Sequence, residues 1–155
     1  LEEMLERDQA YRTQWILSRQ LHHEETQDDI ALRLRADSID SLNQVEIRQI
    51  LKEHGFPKKT EVGTSACEAA WIIIQHAPLD VQKEYLPMLE RAATEGNIQA
   101  ALVAALHDRI DVREGRPQKY GTQRNHNGIC PLLNKKMVNQ WRKEVGLPPL
   151  DEYSK

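Results

Sequence analysis

Asp8 with Arg12, Gln75 with His76 and Asp108 with Arg109 are the pairs in this chain whose residue types and spacing could do chemistry. Each pair falls on, or at the end of, an otherwise apolar helical stripe. Burying charge is costly unless it is paired and hydrogen-bonded, so these groups must meet one another, line a wet pocket, or both. A histidine in such a pocket is a natural proton shuttle, because an ordinary pKa of about 6.5 puts both of its forms within reach at neutral pH. His76 is therefore the expected catalytic acid or base, Asp8 or Asp108 would fix its tautomer, and Asp108 is the second catalytic candidate. Arg12 and Arg109 can clamp a carboxylate or phosphate through bidentate hydrogen bonds. The competing reading is a purely structural polar network, with His76 capping the C-terminal end of its helix.

The elements that must position these residues are helical. Leu1, Met4, Leu5, Tyr11 and Trp15 recur at helical spacing, which predicts an amphipathic helix over residues 1 to about 22 with Asp8 and Arg12 on its inward stripe. The polar run from His22 to Asp29 reads as a solvated continuation or turn, where little chemistry is expected. A second helix is expected from about Ser38 to His54, with Ile39, Leu42, Val45, Ile50 and Leu51 facing inward and Gly55 stopping it. Ser65 and Glu68 have the spacing of a capping box. The helix they open is apolar on nearly every side from Ala66 to Ile74 and ends before Pro78 with Gln75 and His76.

Val81, Tyr85, Met88, Leu89 and Ala92 mark a fourth helix over about 80 to 94, with Pro87 inside it. Asn97 is the expected N-cap of a fifth, whose apolar sites Ile98, Ala101, Leu102, Ala105 and Leu106 lead onto Asp108 and Arg109. The stretch from Gly115 to Pro131 reads as a long loop with a short hairpin near Tyr120 to Ile129, and loops of that length are often functional. A last helix is expected over about 134 to 145. The predicted fold is all-α: a single helical domain over 1–155, built as a compact bundle of five to six helices with that loop before the last one.

Composition narrows the function classes. The 155 residues suit one core, and 39% hydrophobic with 29% charged residues is a foldable mixture. The longest apolar run, Ala69 to Ile74, is too short to cross a bilayer, so no membrane association is expected. The chain starts at Leu1 and not Met, so any targeting segment is missing from view and the cytoplasm is the default expectation. Cys67 and Cys130 form no CxxC motif, and their pairing is left open. A net charge of -3 conceals a basic segment at 113 to 143, with eight Lys and Arg against Glu114 alone. That segment either neutralises the acidic remainder or attracts an anionic ligand, and the overall acidity disfavours nucleic acid.

No GxGxxG, P-loop or GxSxG motif is present, so no cofactor is expected. His107 and Asp111 are four apart and His22 and His23 add donors, but no spacing of known specificity supports a metal. Asp8-Gln9-x-x-Arg12, Gly55-Phe56-Pro57, Ala70-Trp71 through Gln75-His76-Ala77, Asp108-Arg109 and Gly115-x-Pro117-Gln118-x-Tyr120-Gly121-Thr122-Gln123 together resemble the signatures of a widespread, chiefly bacterial family known only as a domain of unknown function. The resemblance runs from Asp8 to Trp141-Arg142 and Gly146-Leu147. It implies a shared fold and site but no reaction, and it adds Gln9, Gln82, Gln118, Tyr120, Thr122 and Gln123 to the candidate ligand-binding residues. Glutamine and tyrosine suit a small polar ligand or a peptide backbone. The expected function is binding or transformation of a small polar, anionic molecule in a pocket between helices. The alternative is a protein-interaction module whose polar cluster only locks the helices together.

Overall fold

The computed structural model describes residues 1–21 and 24–150, and among them the chain is all-α: six helices and one two-stranded antiparallel ribbon. It divides into two compact units, Leu1–Ala77 and Pro78–Lys155.

The first unit packs three helices against one another: α1 (Glu2–Leu21), α2 (Gln27–His54) and α3 (Lys59–His76). α1 buries Met4 and Asp8, one helical turn apart, as its stripe requires. α3 supplies most of the apolar core through Ala66, Cys67, Ala69, Ala70, Ile73 and Ile74. It is broken at Gly63, whose φ of 82° and ψ of 170° are not helical, so Ser65 lies in the first turn of the second segment and not ahead of it.

α2 departs furthest from expectation. It starts eleven residues before Ser38, at Gln27, because Thr26 and Asp29 make a capping box: Thr26 Oγ1 accepts from the Asp29 N–H at 3.1 Å, and Asp29 Oδ2 accepts from the Thr26 N–H at 2.8 Å. Its inward face is also polar. Leu42 and Val45 are exposed, whereas Asn43 and Gln44 are buried beside Ile47 and Leu51. Asn43 Nδ2 donates to the Met4 carbonyl at 3.1 Å and Gln44 Nε2 to the Ile73 carbonyl at 2.8 Å, so these amides stitch α2 to α1 and α3. Gly55, with φ of 72°, ends α2 as expected and donates to Leu51.

The second unit pairs α4 (Leu79–Thr94) with α5 (Ala100–Arg113). Val81, Tyr85, Leu89 and Ala92 face Val103, Ala104, Leu106 and Ile110 in its buried layer. Gln99, not Asn97, is the residue preceding α5, and the Asn97 N–H bonds back to the Ala92 carbonyl. After α5 the loop forms the expected hairpin, β1 (Arg124–Asn125) against β2 (Gly128–Ile129), and α6 (Val138–Glu144) follows. Cys67 and Cys130 are both buried free thiols.

Thr26→Ala should lower stability by about 1 kcal/mol in urea unfolding. Hydrogen bonds from Ser18 and from the Thr26 backbone hold the Asp29 pKa at about 2, below its ordinary 3.8. A depressed pKa contributes stability that is present above the ordinary value and lost as pH falls through the folded one. The wild type should therefore weaken more steeply than Asp29→Asn between about pH 4 and pH 2, and parallel profiles would contradict this.

Candidate functional site

In the first unit the three helices bring three titratable groups together. Asp8 comes from the middle of α1, Asp40 from α2, and His76 is the last residue of α3; one ligating atom of each lies within 4.8 Å of the other two. Asp8 Oδ1 is 2.9 Å from His76 Nδ1, so the carboxylate fixes the ring and leaves Nε2 as the nitrogen on the side away from this contact. Gln9 Nε2 donates to Asp8 Oδ2 at 2.6 Å. Arg12, one turn along α1, places Nε 3.4 Å from Asp8 Oδ2 and Nη2 2.6 and 2.7 Å from the two Asp40 oxygens.

The Asp8 side chain is 1% exposed, against 17% for His76 and 19% for Arg12, so the anchor is dry while its partners reach the surface. The electrostatics separate the two carboxyls. Burial works to raise Asp8, but the His76 hydrogen bond and the charges of His76 and Arg12 outweigh it and hold the group below its ordinary pKa. Burial raises Asp40 and the neighbouring Asp8 reinforces it, so Asp40 lies above its ordinary value despite Arg12. Two carboxyls driven apart in this way are suited to different tasks. Asp40 was not among the residues that periodicity singled out. Its signal was the i, i+3, i+7 progression Asp40, Asn43, Ile47, a stripe hidden by its polar members.

In the second unit the loop motif is organised around Asp108, which is fully buried on α5. Oδ1 accepts from the N–H groups of Lys119 at 2.8 Å and Tyr120 at 2.9 Å. Oδ2 accepts from the Thr122 N–H and hydroxyl, both at 2.9 Å. Gln118 does the same for the next layer, donating to the Gln123 and Cys130 carbonyls at 2.9 Å and accepting from the Gln123 N–H at 2.8 Å. Gln123 Nε2 reaches the Ala105 carbonyl at 3.3 Å, and Arg142 holds the Tyr120 carbonyl at 2.7 Å. Gly121, with φ of 71°, turns so closely under Leu132 and Leu150 that a Cβ would sit 3.1 to 3.3 Å from their side chains.

The candidates thus form two groups: Asp8, Gln9, Arg12 and His76 in the first unit, and Asp108, Gln118, Tyr120, Thr122 and Gln123 in the second. Gln75 is half-buried on α3, Gln82 buried on α4 and Arg109 half-buried on α5, and all three are engaged by other groups. His107 and Asp111 face different side chains: His107 Nε2 is 2.7 Å from Glu90 and Asp111 accepts from Arg116. His22 and His23 lie outside the described residues.

Asp108→Asn turns an amide NH2 toward backbone donors that need an acceptor. It should cost about 2 kcal/mol or more in urea unfolding, because buried N–H groups are left without partners. A variant as stable as wild type would show that the loop does not depend on this carboxylate.

No curated protein and no solved structure matches the chain. A sequence profile for a family of unknown function, DUF6624, matches residues 1–155. The expectation of a domain of unknown function is met along the whole chain, which belongs to the DUF6624 family.

Proposed function

We propose that the Asp8, Arg12 and His76 cluster of the first unit is a ligand site that binds, and through His76 transforms, a small polar anion. The observation that carries this reading is the bond between the dry Asp8 carboxylate and Nδ1 of a partly exposed His76. A histidine oriented by a buried carboxylate presents Nε2 as a base when neutral and as a donor when protonated. Arg12 is the matching anion contact: a planar fork beside the ring, held by Asp40, which is itself half-buried and able to exchange for a ligand carboxylate or phosphate. Gln9 keeps the second Asp8 oxygen occupied.

Asp108 and the Gln118 to Gln123 loop take a supporting role in this reading. Both Asp108 oxygens already accept two donors each, so the group shapes its loop and leaves proton transfer to His76. A protein-interaction role has its own observation, the exposed apolar side chains Ile16, Leu17, Leu34, Leu42, Val45 and Val62 of the first unit.

The two readings separate in a thermal-shift screen of phosphate, sulfate and small mono- and dicarboxylates against the protein as purified. A ligand at a hundred times its Kd should raise Tm by about 8 °C, and Arg12→Gln and His76→Gln should abolish the shift while remaining folded by circular dichroism. Failure of every anion, or equal shifts in the variants, would discard the ligand site in favour of the interaction surface.

A further inference from the structure

The charge of the proposed site conflicts with its ligand. Asp8 and Asp40 carry two negative charges and Arg12 one positive, so with a neutral His76 the cluster is formally negative and repels an anion. We propose that Asp8, Asp40 and His76 form a divalent-cation site, in which a Zn2+- or Mn2+-class ion takes the place of the Arg12 guanidinium between the two carboxylates. The proposal rests on the reading of this cluster as the ligand site and supplies the positive charge that reading needs.

The donor set is chemically suitable. One imidazole nitrogen and two carboxylate oxygens match the mixed N,O preference of Zn2+ and Mn2+ and leave positions open for water or an anion. The spacing is also close. Tetrahedral ligands bonded at about 2.0 to 2.1 Å stand about 3.3 Å apart. Asp8 Oδ1 and His76 Nδ1 are 2.9 Å apart, so the ion would take the place of the Nδ1 proton between them and leave the ring proton on Nε2, and no pair of the three donor atoms is separated by more than 4.8 Å. The half-buried Asp40 side chain has to move inward and the Arg12 guanidinium to swing out, while the buried Asp8 stays fixed. Gln9 donating to Asp8 Oδ2 is the kind of outer contact that orients a ligating carboxylate. Arg12 now bridges the pair, with Nη2 on Asp40 and Nε beside Asp8, which is the position a cation would occupy. Once displaced, its guanidinium is one turn from the ion and is available to the anion.

Calorimetric titration of ZnCl2 and MnCl2 into the chelator-treated full chain tests this. Wild type should bind one ion that is lost in Asp40→Asn, with affinity at least ~10-fold weaker, as for removal of a ligand or its orienting partner. Arg12→Gln should bind ~10-fold more tightly, because the competing cation is gone. A structural ion-pair network would make both substitutions neutral or harmful to binding, so their opposite signs are the diagnostic. His76→Gln, checked for folding by circular dichroism, provides a second loss. Absence of binding in wild type, unchanged binding in Asp40→Asn, or weaker binding in Arg12→Gln would each overturn the cation site. Phosphate is titrated in separate runs: ion binding without any phosphate binding to the loaded protein upholds the cation site and removes the anion reading. Phosphate binding to a protein that takes up no ion does the reverse.

Discussion

A carboxylate removed from water must be compensated by donors or cations, and Asp8 meets that demand with side chains from two helices of its unit, one of them anchored to the third. Its oxygens face His76 at the end of α3 and Gln9 and Arg12 on α1, and Arg12 in turn is held by Asp40 of α2. An unpaired charge at that depth would be strongly destabilising. The position of the last residue of α3, the rotation of α2 and the rotamer of Arg12 are therefore tied to one buried group, and the polar cluster is as much a condition of this fold as its consequence.

Asp108 meets the same demand differently, and the difference separates a scaffold from a site. Its four donors include three backbone N–H groups of one loop, which cannot leave without unfolding that loop. Asp8 is compensated by side chains with their own access to solvent, which can rotate and exchange partners. Backbone satisfaction produces rigidity, while side-chain satisfaction leaves a group able to respond to a ligand. Gln118 repeats the Asp108 pattern with an amide, so the most distinctive motif of the sequence turns out to be a set of loop ties.

The helices α1, α3, α4 and α5 and the hairpin were legible because their signals are local: apolar residues every three or four positions, Pro and Gly at the ends, a Gly-rich tract between. α2 was half legible. Its start lies in the polar run that reads as a solvated continuation or turn, although Thr26 and Asp29 carry a capping spacing, and the apolar pattern predicts the helix only from about Ser38. Its inner face is legible at Leu51 but wrong at Leu42 and Val45, which outrank the buried Asn43 and Gln44 on any hydropathy scale. Asn43 and Gln44 are inside because the Met4 and Ile73 carbonyls await them, and those partners are 39 and 29 residues away.

Local periodicity alone determined that the chain is helical, and it placed Asp8 and Arg12 on an inward stripe and His76 at a helix end. Only the tertiary structure decided that Asp8 meets His76, that Asp40 completes the cluster, and that Asp108 turns to its own loop. The physical reason is that a helix specifies which face a residue occupies, through bonds four residues long. The partner that makes a buried charge tolerable is chosen by packing between segments far apart in the chain.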